Sequence, residues 1–225
     1  MMTDSGERGA PAGERKPQRW PLCSDADEFL YAESEFIITR HSLPHRAVWG
    51  MVYNPAEGRW LIRQTDSVTG FWDVSCGDHV LIVDSRPESY DDAYARALHA
   101  LLGLETAWLS RAEAETGGIM LAGERTLTID MGYSKEYNWT FSWQRRSLHL
   151  EREHVHIYLT LYAGDVAALP DASPGVFEWA NAERIWRETE TSNSTTALAH
   201  AFALCQRFVS QVDVRVGDAL DDASE

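Results

Sequence analysis

Residues 71–104 read FWDVSCGDHVLIVDSRPESYDDAYARALHALLGL, and this stretch decides the fold. Its second half has helical periodicity: Tyr90, Ala93, Ala97, Leu98, Leu101 and Leu102 recur at three- and four-residue spacing, and Gly103 follows as a stop. One helical face is therefore apolar and must pack on a neighbour. Outward from it the chain favours β-structure. Residues 45–53 and 59–64 are short strand-like runs joined by Asn54-Pro55-Ala56-Glu57-Gly58, a turn-rich link that predicts a hairpin. Residues 154–162 (HVHIYLTLY) predict another strand, and 195–212 predict a C-terminal amphipathic helix. The order β, β, α, β, α predicts an α/β sandwich with a mixed central sheet. The sequence has no internal repeat.

With 225 residues and 25.4 kDa the chain suits one domain, expected over 25–216 between a flexible N-terminal segment (1–24) and an acidic disordered tail (217–225). Against 35 acidic residues stand 20 basic ones, a net charge of −15, and Lys16 and Lys135 are the only lysines. Without a local basic stripe such a field repels nucleic acid and disfavours phosphate-rich ligands. No apolar run approaches the roughly 20 residues that cross a bilayer, so no membrane span is expected. Residues 1–20 lack the apolar segment of a secretory signal, so the expected location is the cytoplasm. Cys23, Cys76 and Cys205 lie far apart, outside C-x-x-C spacing, and are expected as free thiols.

Three separated segments resemble the Nudix fold, and within it the branch of type I isopentenyl-diphosphate isomerase. The first is His45-Arg46-Ala47-Val48-Trp49-Gly50-Met51-Val52-Tyr53-Asn54, similar to that branch's opening strand. The second runs from Phe71 through Cys76-Gly77-Asp78-His79 and Glu88 to Arg96, Leu98 and Leu102-Gly103-Leu104, and looks like a degenerate Nudix box. The third, Glu151-Arg152-Glu153, is similar to the E-x-E strand of the isomerases. The likeness implies a Nudix-type α/β/α sandwich.

The departures from the box carry as much information. Asp78 stands where the pattern has Gly, and Glu88 follows after nine residues rather than five. The positions of the three helical carboxylates hold Ala97, Ala100 and Leu101. Those positions share one face, which in the family presents oxygen ligands to magnesium beside a diphosphate; here the face is hydrocarbon. The cationic grip on diphosphate is also thin, since the stretch after the second strand, Arg63-Gln64-Thr65-Asp66-Ser67, keeps one clear cation. An alkyl diphosphate held without metal or arginine would bury uncompensated charge.

By resemblance, His45, His79, Glu151 and Glu153 match the residues that hold a separate metal in the isomerase branch, with His41 as a further ligand. Two residues apart on a strand, Glu151 and Glu153 point to the same side. The likeness implies a divalent ion, Mg, Mn or Zn; imidazole with carboxylate suits Mn, Fe or Zn better than Mg. Read without the resemblance, the same residues are histidines of an acidic chain and a solvated strand face. The candidate proton donors are Cys76, Asp78, Glu153 and Tyr137. Cys76 sits one residue before the position at which the isomerases carry their cysteine, so it is equally readable as core; Asp78 is equally readable as a loop cap. The chain has nine tryptophans. Trp49, Trp72, Trp139 and Trp143, with Arg63, are the expected substrate contacts, and Tyr133 to Trp143 the expected lid or pocket wall before the E-x-E strand.

The expected function is protonation of an alkene in an isoprenoid or prenylated metabolite, giving double-bond isomerisation or cyclisation. The alternatives are a non-catalytic binding protein on the same fold, and a pyrophosphohydrolase whose carboxylates have moved to Glu88, Glu151 and Glu153.

Overall fold

Residues 45–53 were expected to form a strand, and strand β3 (Pro44–Asn54) is the axis of a ten-stranded mixed sheet because both of its faces are apolar. Ala47, Trp49 and Met51 are buried on one side, Val48 and Val52 on the other. In this computed structural model residues 18–64, 70–121, 126–142, 147–166, 169 and 177–217 are described, with the backbone alone for 137–142 and 147–149.

The sheet takes in β1 (Arg19–Cys23), β2 (Phe29–Ser34), β3, β4 (Arg59–Gln64), β5 (Trp72–Asp73), β6 (Cys76–His79), β7 (Ala107–Leu109), β8 (Thr126–Ser142), β9 (Ser147–Tyr162) and β10 (Phe177–Ala180). Its order along the main path is β10-β4-β3-β9-β8-β7. The pair β3 and β9 is parallel, with Glu153 opposite His45. Antiparallel β8 and β9 form a long hairpin, with Glu136 opposite Glu153. Along its other edge β3 pairs in turn with β1 (Leu22 opposite His45), β6 (Ala47 opposite His79) and β4.

Helices cover both faces. Helix α1 (Glu35–His41) follows β2. Helix α2 (Tyr90–Leu102) buries Ala93, Tyr94, Ala97, Leu98 and Leu102 against Val48, Val52 and Cys76. It starts at Ser89, whose side chain accepts from the Asp92 N–H, and stops at Gly103 with φ of 65°. On the opposite face lie α3 (Arg111–Gly117), α4 (Ala182–Glu190) and α5 (Thr196–Val209), which bring Ala114, Ile185, Leu198, Phe202 and Phe208 onto Trp49, Met51 and Ile157. The result is the expected α/β/α sandwich. No helix among the described residues is long and apolar enough to cross a membrane.

Two expectations change. The segment 1–24 was expected to lie outside the domain, yet β1 pairs with both β2 and β3. The physical reason is its apolar content: Trp20, Leu22 and Cys23 are 4%, 7% and 2% exposed, and Pro21 is buried between them. Of the stretch expected as a lid or pocket wall, residues 133–142 are strand paired with β9, which replaces the lid and is compatible with a wall. Residues 1–17, 143–146 and 218–225 lie outside the described residues.

Close packing at Gly50 joins α2 to the sheet. A Cβ built on Gly50 overlaps the ring of Tyr94. Tyr94 has nowhere to move, because its hydroxyl bonds Thr160 at 2.7 Å, which continues to Thr128 at 2.8 Å inside the core. Gly50→Ala is therefore expected to lower the unfolding free energy by about 1–3 kcal/mol. Urea unfolding measures this, and a wild-type midpoint would contradict the packing described.

Candidate metal centre

Three strands deliver three side chains to one spot. His45 comes from β3, Glu153 from the adjacent position of β9, and His79 from β6 beside Ala47. Strand alternation turns all three to the face that carries Ala47 and Trp49. The Glu153 Oε1 lies 3.9 Å from His45 Nε2 and 3.6 Å from His79 Nε2. The three ligand atoms all lie within 4.8 Å of one another. Ligands bound at 2.0–2.2 Å to one tetrahedral ion sit roughly 3.4 Å apart, so only a small contraction is needed.

The state of His45 is fixed by its neighbours. Its Nδ1 lies 2.9 Å from the Leu43 carbonyl, which can only accept, so Nδ1 carries the proton and Nε2 the lone pair. That Nε2 is buried without a hydrogen-bond partner, in a side chain 1% exposed. Burial, and then the neighbouring His79, pull its pKa from 6.5 to about 4 despite the charge of Glu153. A neutral imidazole with an unsatisfied lone pair has the chemistry to ligate a metal ion. For His79 burial acts downward, but the hydrogen bond and charge of Glu153, with Glu151 and Asp78, prevail and raise the pKa. The indole of Trp20 lies across both imidazoles, 3.7 Å from the His79 ring and 5.2 Å from that of His45. This donor set fits Zn, Mn or Fe, and Mg less well, because Mg prefers oxygen and keeps its waters.

Charge is sorted across the sheet. Glu151 shares the face of Glu153, whereas Arg152 between them turns to the other side and meets Asp25 at 2.5 Å. Lys135 and Arg46 do the same, pairing with Asp25 at 3.6 Å and Asp27 at 2.7 Å. The cluster face thus keeps acids and imidazoles, and the strand cations next to them are on the far side.

The other expected residues are dispersed. Cys76 is opposite Gly50, on the α2 face, fully buried, and burial pushes its thiol up to about 12. It is a core thiol, and the one-residue offset from Gly77 is the reason. Asp78 is on that face too, bonded to Arg96 and, at 2.8 Å, to the His79 backbone N–H. Arg96 also bonds Glu88 at 2.7 Å and the His79 carbonyl at 2.9 Å, while Glu88 accepts from the Leu81 N–H at 2.7 Å. Glu88 therefore braces the 79–88 loop and is not beside Glu153. His41 is exposed at the end of α1 and outside the cluster. Trp49 is two positions along β3 from Ala47, on the cluster face, and Trp72 is in the core under Arg184. Arg63 is beside Asp73 at 3.5 Å and acts on Cys76, so it belongs to the far face. Tyr137 and Trp139 lie in β8 with side chains outside the described residues, as does Trp143 altogether. Trp20 was missed because Pro21 follows it after an otherwise polar stretch; the short apolar run from Trp20 to Cys23 was the available signal.

No protein-family model matches the chain, and no curated protein does. Among solved structures it is similar to DR0079 from Deinococcus radiodurans, at 17% identity and TM-score 0.49, over 84% of this chain and 98% of that one. A solution structure of the same protein, described as a hypothetical Nudix protein, gives 18% and 0.36 over 88% and 99%. An Ap4A hydrolase of C. elegans gives 12% and 0.39 over 73% and 96%, and a dihydroneopterin triphosphate pyrophosphohydrolase of E. coli 11% and 0.40 over 73% and 94%. At such identities and TM-scores these likenesses assign neither family nor activity.

The pH dependence of stability follows from His45. Unfolded, it takes a proton near pH 6.5; folded, only near pH 4, so between these values the unfolded chain binds more protons and stability rises with pH. His79, raised by Glu153, acts in the opposite sense: it stabilises below pH 6.5, an effect lost as pH climbs through its folded pKa. In chelator-treated protein, wild type should lose about 3 kcal/mol relative to His45→Gln as pH falls from 6.5 to 4. Parallel pH profiles in urea melts would contradict this.

Proposed function

We propose that the chain is a divalent-metal-dependent enzyme on a Nudix-type fold, acting on a small molecule at the face that carries His45, His79 and Glu153. The observation that carries this reading is the orphaned, buried Nε2 of His45, aligned with two further ligands. When bound, the ion supplies Lewis-acid polarisation of a substrate oxygen. The protein's own part is to fix the His45 tautomer through Leu43 and to cover the two imidazoles with Trp20.

Two reactions fit, each with its own support. Hydrolysis of a phosphoanhydride is supported by the carboxylates Glu151 and Glu153 on the imidazole face, a relocated replacement for the box helix, where Ala97 is buried. Protonation of an isoprenoid alkene, leading to isomerisation or cyclisation, is supported by the turning away of Arg46, Lys135 and Arg152, which leaves a diphosphate no grip from those strands. Trp20 and Trp49 on the same face would stabilise a carbocation. A cavity of about 380 Å³ lined by Arg59, Trp179, Arg184 and Arg187 contains none of the cluster residues.

One panel separates the readings. Metal-free full chain is supplied with Mn(II) or Zn(II) and incubated with nucleoside and prenyl diphosphates, and with polyenes in deuterated water. Phosphate or pyrophosphate release marks the hydrolase, and deuterium in the product marks alkene protonation. Either activity should need the ion and fall at least about 100-fold in Glu153→Ala. Ion binding without turnover across the panel would contradict an enzyme and leave a binding protein.

A further inference from the structure

The polar row through the centre does not stop at Glu153. On β8, Glu136 is the direct antiparallel partner of Glu153. Directly opposed residues share a face with Cβ atoms about 5 Å apart, and like charges in such a pair repel. Glu153 is 6% exposed and Glu136 18%, so water screens the pair poorly. Along β3, β9 and β8 the row reads His45, Glu153, Glu136.

Glu136 is held in place from two sides. The Ser134 hydroxyl donates to its Oε1, and His200 Nδ1, arriving from α5, lies 2.8 Å from the same oxygen. Both contacts fall on Oε1, so Oε2 is the oxygen that can turn toward an ion. His200 itself packs edge-on to Trp49, with ring centroids 6.5 Å apart.

We propose that the metal centre extends one strand further, with Glu136 as its fourth protein ligand and His200 as the residue that positions Glu136. This rests on the metal reading of His45, His79 and Glu153. Glu136 is outside the compact triad, so binding draws its carboxylate inward by a side-chain rotation while His200 keeps Oε1.

The test is calorimetric titration of the full chain with Zn(II) or Mn(II) under competition from a chelator, with thermal unfolding of each metal-free protein alongside. Wild type should bind one ion. Glu136→Gln should weaken binding about 100-fold and His200→Ala about 10-fold, with Glu136→Asp recovering part of the loss. A merely structural Glu136–His200 pair would lower the melting temperature and leave the ion affinity within about threefold of wild type, which overturns the proposal while the triad stands. Should Glu136→Gln fail to fold, His200→Ala carries the same decision. Absence of ion binding in wild type overturns this proposal and the metal reading together.

Discussion

The two-residue period of β-structure sorts charge in this molecule. Along β9, Glu151 and Glu153 face one way and Arg152 the other; along β8, Glu136 and Lys135 are divided in the same manner. Parallel pairing of β3 with β9 then sets His45 against Glu153, and β6 adds His79 from the opposite edge. A face of acids and imidazoles follows from this register. Such a face, with its strand cations turned away, is costly unless protons or a metal ion fill it.

The other face has taken a different course. There α2 presents Ala97 and Leu98 to the sheet and closes over Cys76 and Val80. Arg96 and Glu88 bond each other, Asp78 and the backbone of the 79–88 segment. These residues hold a loop, and the loop holds β6, whose last residue is His79. Arg96 thus steadies the end of β6 through its bond to the His79 carbonyl.

Most of the architecture was legible because its signals are local. The periodicity of 90–102 with Ser89 and Gly103 at its ends, and the alternation through β3, needed no tertiary information. His45, His79 and Glu153 were legible from the resemblance together with E-x-E alternation. Cys76 was ambiguous for a physical reason: a slip of one residue exchanges the faces of a strand, and only the pairing Gly50–Cys76 decides it. Trp20, Glu136 and His200 depend on long-range register, on the hairpin shift between Asp130 and Gly132 and on the rotation of α5 about its axis. No pattern within a short window encodes these.

Anomalous diffraction from crystals of the full chain grown with Zn(II), recorded on both sides of the zinc edge, tests the central claim most directly. One peak is expected, about 2.0–2.2 Å from the Nε2 atoms of His45 and His79 and from a Glu153 carboxylate oxygen. A peak elsewhere, or three side chains with no anomalous density between them, would contradict it.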